Sequence, residues 1–249
     1  MSLKKQQSSS RRLTGISILK RNLAENNIQR ARNPVTPSRM TVRGQFPSKK
    51  MQRMVAWESQ LERRACYLFE FTPEIVSFRE QPERFHIPFK NKIKRYTPDF
   101  EVVNKLGEVS YWEIKPLRKL LELKDYFNSM STYFLKRGLG FFVLTEEELM
   151  NPFREKNLTL LRQYQTVVLT NEILLALRDI YLKRDYRPLM IGVLEELFGK
   201  NIIYSALGND YLSCDLNQEI VADTPIFFNL SKGDTYDISL FSYRAAPYF

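Results

Sequence analysis

Two apolar runs, Tyr96-Thr97-Pro98-Asp99-Phe100-Glu101-Val102-Val103 and Val109-Ser110-Tyr111-Trp112-Glu113-Ile114-Lys115, face each other across a loop through Asn104 and Gly107. They read as a β-hairpin. Pairing Val103 with Val109 carries the register down to Asp99 opposite Glu113, with Cβ atoms ~4.5–5.5 Å apart. Lys115 follows two residues later and therefore shares the face of Glu113. One face of the hairpin thus presents two carboxylates and an ammonium. The bland alternative is a salt-bridged strand face. Carboxylates this close repel each other and raise one pKa, a conflict that a divalent cation resolves. Oxygen-only ligands favour Mg²⁺ or Mn²⁺, which activate water and neutralise charge on a phosphodiester. In that arrangement Lys115 positions the water or stabilises the developing charge. The backbone carbonyl of Ile114 offers a further metal ligand.

Working outward, the pattern predicts a helix over 52–71 that carries Glu62 and ends at Thr72-Pro73, since a residue before proline avoids the helical region. Strands follow at 75–80 and 85–89. Beyond the hairpin, Pro116 stops the strand, a helix covers 117–137 up to Gly138, and Phe141–Leu144 reads as a buried strand. Thr145 then caps a short acidic helix. The outline is an α/β fold, a mixed sheet flanked by helices. Asn151-Pro152 is the expected domain boundary. Helical patterns at 157–169, 171–184 and 189–198, the last bracketed by Pro188 and Gly199, precede Ile202–Leu207 and Tyr211–Leu216, a hairpin pattern around Gly208-Asn209-Asp210. That order suggests a mainly α, winged-helix-like C-terminal domain. The expected division is a basic arm over 1–45, the sandwich over 46–150, the helical module over 151–225 and an aromatic-rich tail over 226–249.

Composition narrows the chemistry. With 43% apolar residues in 249 the chain can bury a core. One histidine and two cysteines exclude a zinc finger, an HExxH protease or an HNH-type nuclease, and no GxxxxGK[ST] loop is present. Cys66 and Cys214 read as buried thiols. No apolar stretch reaches the ~18–20 residues of a bilayer span, and the N-terminus has no signal-like run, so a soluble, cytoplasmic protein without membrane contact is expected. Residues 1–57 hold thirteen Lys/Arg and one acid, Glu25, whereas 58–150 hold fifteen of each sign. The basic excess is thus a property of the arm, which reads as a polyanion-binding tail, disordered until bound.

The hairpin residues match the PD-(D/E)xK nuclease superfamily. Arg43-Gly44-Gln45-Phe46-Pro47-Ser48-Lys49-Lys50, Trp57-Glu58-Ser59-Gln60-Leu61-Glu62-Arg63, Arg79-Glu80-Gln81-Pro82 and Tyr96-Thr97-Pro98-Asp99-Phe100 together resemble the TnsA family of transposon endonucleases, over about residues 40–150. The resemblance implies a restriction-endonuclease-like fold and a Mg²⁺-dependent DNA endonuclease, with Mn²⁺ as substitute and one or two ions. It implies cutting of the 5′ strands at transposon-end DNA, beside a TnsB-like recombinase and a TnsC-like AAA+ ATPase. Glu62, Asp99 and Glu113 would be the acidic ligands and Lys115 the catalytic lysine. Some TnsA sequences carry Gln where Glu113 stands, which leaves the metal count open. Whether targeting is guided by a CRISPR complex or by a protein stays open too. Arg43, Lys49, Lys50, Arg53, Arg118 and Lys119 are the candidate DNA contacts. Glu58 reads as solvent-facing, His86 as a satisfied structural histidine, and Tyr126, Phe127 and Tyr133 as core. The helix expected over 189–198 carries Glu195 and Glu196 and no Lys or Arg, a poor match for a phosphate-lined groove. It suits a protein partner better. The alternatives are a stand-alone restriction-like or junction-resolving nuclease and a non-catalytic bridging adaptor.

Overall fold

The computed structural model describes residues 42–229 and the backbone pairing of Arg244–Ala245. The aromatic tail residues Tyr236, Phe241, Tyr243, Tyr248 and Phe249, and the basic arm as far as residue 41, lie outside the described residues.

The chain enters through a hairpin, β1 (Gly44–Ser48) and β2 (Arg53–Trp57), paired Gly44 to Trp57 and Ser48 to Arg53. Gly44 is required there: a Cβ would lie 2.2 Å from the Trp57 ring. This corrects the helix expected from residue 52. Val55 and Ala56 are buried strand residues, and α1 (Gln60–Phe71) starts only where the Ser59 hydroxyl accepts from Glu62 N–H. The Ser59-x-x-Glu62 pattern is a helix-start signature. Residues 44 and 45 already belong to β1, so the arm ends short of its expected limit.

The main sheet runs β12 (Arg244–Ala245), β8 (Gly140–Leu144), β7 (Val109–Ile114), β6 (Phe100–Asn104), β3 (Ile75–Glu80). β3, β6 and β7 are antiparallel neighbours, and β7 and β8 are parallel. The sheet is therefore mixed, as the α/β reading expects. α1 covers one face, where Phe69 meets Phe78, Phe100 and Trp112 at ring distances of 5.3–5.5 Å. The Phe69 side chain is fully buried, and truncating such a ring costs ~3–5 kcal/mol.

The other face packs against α3 (Lys124–Leu135) through Phe127, Met130 and Phe134. Tyr126 and Tyr133 pack at the margin of that cluster. The helix expected over 117–137 is two helices, α2 (Leu117–Glu122) and α3, broken at Leu123. Gly138 ends the segment with φ of 70°, and the Leu139 N–H reaches back to Phe134 O. A separate ribbon, β4 (Phe85–Phe89) and β5 (Lys92–Tyr96), lies outside this sheet. The strand expected over 96–103 is thus divided: Tyr96 closes the ribbon, residues 97–99 cross over, and Phe100 opens β6. His86 is exposed on β4, not the enclosed histidine that its apolar neighbours suggested.

Thr145 caps α4 (Glu146–Leu149) as expected, and Glu148 completes a capping box with it. Asn151 caps α5 (Pro152–Tyr164), with proline in the first turn. Then come α6 (Asn171–Leu182), β9 (Leu189–Met190), α7 (Ile191–Phe198), α8 (Lys200–Gly208), β10 (Leu212–Ser213) and β11 (Pro225–Phe228). The hairpin expected around Gly208-Asn209-Asp210 is a helix end. Ile203 to Gly208 are buried along α8, a continuous block that alternation cannot supply. β10 pairs instead with β11, which also pairs with β9. Residues 226–228 therefore belong to a sheet, and the expected tail boundary at 226 falls inside a strand. One apolar cluster unites Phe46, Tyr67 and Phe69 with Leu158, Leu161, Leu177 and Phe228, so the core runs through Asn151-Pro152. Among the described residues no helix is long and apolar enough to cross a membrane.

Candidate active site

The β6–β7 register pairs Val103 with Val109 and Phe100 with Trp112. One step further lies Asp99, at the bend before β6, and Glu113. The side chains meet as that register requires. Lys115 Nζ stands 2.7 Å from Glu113 Oε1 and 3.9 Å from Asp99 Oδ2. Asp99 Oδ2 accepts from the Ile114 backbone N–H at 2.8 Å. Ile114 thus enters the site through its N–H, next to the carbonyl expected as a metal ligand.

Burial sets the electrostatics. The Glu113 and Asp99 side chains are only 5% and 12% exposed, and Lys115 is 34% exposed at the open side. Burial first, and then the Glu113 charge, pushes the Asp99 carboxyl well above the ordinary range, with Lys115 and the Ile114 N–H pulling back. Burial draws the Lys115 ammonium down, but Glu113 and Asp99 outweigh it and hold it above its usual value. Lys115 is therefore a fixed cation at neutral pH.

Glu62 lies in the first turn of α1, where Oε2 accepts from Glu58 N–H at 2.7 Å and Oε1 from the Ser59 hydroxyl at 3.1 Å. Burial raises its pKa, with the Glu58 charge adding to it, while the Glu58 N–H, the Ser59 hydroxyl and the Lys115 charge pull back. Its carboxylate is engaged with the start of its own helix. Among the described residues, no three His, Cys, Asp or Glu side chains form a ready cage for a metal ion. The pair Asp99 and Glu113 still fits a hard cation by donor chemistry. Both are oxygen donors, Glu113 is buried and Asp99 largely so, and Lys115 is the cation set against them among the described residues.

Two contributors escaped the sequence reading. The Tyr96 hydroxyl, buried at the end of β5, donates to Glu113 Oε2 at 2.7 Å, and burial and the Glu113 charge push its own pKa far up. Gln81, with φ of 43°, donates its backbone N–H to Asp99 O at 2.8 Å and so pins the bend. Both lie in motifs read only as family marks; the Tyr96 contact depends on the ribbon folding back over β7.

The candidate DNA contacts separate into two groups. Lys49 Nζ donates to Gln165 O and Asn209 Oδ1 at 2.9 and 2.5 Å. Lys50 Nζ donates to Phe69 O and Thr72 O at the end of α1, and burial lowers its pKa to about 8 despite Glu70. Arg53 grips Glu80 through two bonds of 3.0 and 2.7 Å. These three fasten the first hairpin to the body. Arg118 and Lys119 are exposed on α2 and both pair with Glu122, and Arg43 precedes β1. Both cysteines are buried free thiols.

No curated protein matches the chain. Residues 72–146 match the family described as TnsA-like endonuclease N terminal. The match contains Asp99, Glu113 and Lys115 and begins after Glu62. Residues 72–146, where Asp99, Glu113 and Lys115 gather at the ends of neighbouring strands, are thus similar to the N-terminal domain of TnsA-like endonucleases.

Proposed function

We propose that this chain is the 5′-strand-cutting endonuclease subunit of a heteromeric cut-and-paste transposase. Its substrate is transposon-end DNA, and its partners are a TnsB-like recombinase and a TnsC-like AAA+ ATPase. The observation that carries the reading is the convergence of Lys115 on Glu113 and Asp99 within the TnsA-like segment.

Asp99 and Glu113 would hold Mg²⁺, or Mn²⁺ in its place, with Glu62 as the further acid once it leaves the N-terminus of α1. When bound, the ion supplies an acidified water and neutralises charge on the phosphodiester. The protein's own part is aim and charge. Ile114 N–H and the Tyr96 hydroxyl fix the two carboxylates, and such supporting bonds orient ligands before substrate arrives. Lys115 reaches the open side as a permanent cation and donates to the attacking water or a phosphate oxygen.

In the C-terminal part, α6, β9, α7, α8, β10 and β11 follow in that order, with β11 between β10 and β9. That order supports a winged-helix-like module. Its helix α8 is largely buried, and α7 carries Glu195 and Glu196, which favours a protein partner over DNA at this end.

The test is a transposition assay with Asp99→Ala. Loss of the 5′ cut with 3′ joining intact keeps the donor attached, so products should shift from simple insertions to cointegrates. Simple insertions at the normal rate would place 5′ cutting elsewhere. Nicking of DNA by the wild-type chain without recombinase would support the stand-alone nuclease.

A further inference from the structure

The charge balance of residues 58–150 hides a local asymmetry. Residues 85–98 contain four Lys/Arg and no acid, and they are the β4–β5 ribbon with its exit toward Asp99. The ribbon is held firmly on one side. Phe85 packs on Phe134 with ring centroids 4.9 Å apart, Phe89 packs on Tyr126 at 5.2 Å, and Ile87 is fully buried. Its other side shows His86 paired with Arg95 and Pro88 paired with Ile93, all exposed.

The cations of this ribbon are free of ion pairs among the described residues. Around the fold, Arg53, Arg64, Arg79, Arg118 and Lys119 each have a carboxylate partner. Lys92, Lys94 and Arg95 are exposed, Arg95 on the outer face and Lys92 and Lys94 at the edge of the face that carries Phe89 and Ile87, and among the described residues none of them forms an ion pair. At the tip, Lys90 and Asn91 form a two-residue turn with φ of 45° and 59°. Glycine or asparagine is favoured in such a turn, so the lysine there keeps a charge at the point of furthest reach against a backbone cost.

The ribbon is also aimed. Its last residue, Tyr96, holds Glu113. Lys92 stands four residues up the strand, ~13 Å at ~3.3 Å per residue. That length matches the ~12 Å major groove, which admits a two-stranded β-ribbon. We infer that the β4–β5 ribbon is a DNA-gripping arm that engages the duplex about one groove width from the phosphate beside Asp99 and Glu113, through Lys90, Lys92, Lys94 and Arg95. The inference rests on the nuclease reading above and adds where the duplex is held.

The experiment uses the full chain and a DNA duplex without metal, over 50–200 mM salt. Lys92→Gln/Lys94→Gln/Arg95→Gln is compared with Lys183→Gln/Arg184→Gln/Arg187→Gln, which removes equal charge at the exposed end of α6. Each phosphate contact contributes ~0.9 to the slope of log affinity against log salt. The ribbon variant should therefore lose about 2–3 units of slope with an unchanged Tm, and the α6 variant well under one. A photo-crosslinking residue at Ile93, 71% exposed on the outer face, should attach to the duplex. Equal slopes for the two variants overturn the inference, and so does an Ile93 crosslink formed only to protein. A wild-type chain that binds no duplex and cuts none sinks both this inference and the nuclease reading. One that binds and nicks normally with the ribbon neutralised sinks the ribbon alone.

Discussion

The Tyr96 hydroxyl and Glu113 Oε2 are 2.7 Å apart, and Glu113 Oε1 is 2.7 Å from Lys115 Nζ. Both oxygens of Glu113 are therefore committed, one to a neutral donor and one to a cation. Tyr96→Phe keeps the ring and its packing on Tyr126 and Phe141 but frees one oxygen. Loss of a supporting bond of this kind costs ~10–100-fold in metal affinity or activity. Nicking should fall by about that factor at low Mg²⁺ and recover substantially at high Mg²⁺. A loss that no Mg²⁺ concentration relieves would assign Tyr96 a different role.

Asp99 gives a stability signature. Its carboxyl is raised by burial and by the Glu113 charge, so the folded state favours the protonated form. The stabilisation is complete below the ordinary aspartate range and is lost as pH climbs through the raised value. The metal-free protein should lose Tm as pH rises from about 4 toward neutrality, while Asp99→Asn should lose less. At pH 7 without metal, Asp99→Asn should melt about 2–4 °C higher, the shift that ~1 kcal/mol produces in a chain of this size. Differential scanning fluorimetry in EDTA reads both effects. Equal or lower Tm for the variant would contradict the buried-charge account.

Lys115 separates binding from cutting. Removing its ammonium leaves Glu113 and Asp99 facing each other with less compensating charge, which favours a divalent ion. Lys115→Ala should bind Mn²⁺ about tenfold more tightly and yet fail to nick. Calorimetric titration with Mn²⁺ checks the first half and a plasmid-nicking assay the second. Weaker Mn²⁺ binding by Lys115→Ala would show that the lysine assembles the site rather than competing within it.

The end of the chain divides at Asn229. β11 lies between β9 and β10, and Tyr181 donates its hydroxyl to Ile226 O at 2.9 Å inside the core. Deleting 225–249 should lower Tm by several degrees or prevent soluble expression, because two strands and a buried tyrosine lose their partners. Deleting 230–249 should leave those contacts in place. Equal melting losses in the two truncations would mean that 230–249 carries the stability.

The hairpin register was readable because Val103 and Val109 flank a loop with a glycine, and a period of two then dictates every opposed pair down to Asp99 and Glu113. Gly138, Thr145 and Asn151-Pro152 were readable because each acts on its own backbone neighbours. The start of α1 is legible in Ser59-x-x-Glu62, a local signal that a helix drawn from residue 52 passes over. Gly208-Asn209-Asp210 fits a hairpin turn and a helix end equally well. Burial of Ile203 to Leu207 by other elements decides between them. The roles of Lys50 and Arg53 depend on partners nineteen to twenty-seven residues away. Summed charge over 58–150 concealed the ribbon, because cations there and acids elsewhere cancel on paper while standing apart in space.

The seam at Asn151 bears on how this protein can be exchanged between relatives. Arg162 lies over the Phe46 and Tyr67 rings, Arg64 pairs with Glu155, Lys49 bonds Gln165 and Asn209, and Arg154 donates to Glu148 O. Each of these contacts joins a residue before the seam to one after it. A chimera spliced at that seam would have to rebuild every one of these contacts, however well each half folded in its source. The two sides of Asn151 are in this sense one packed unit, and a graft across that seam should carry Gly44–Tyr67 along with the C-terminal helices.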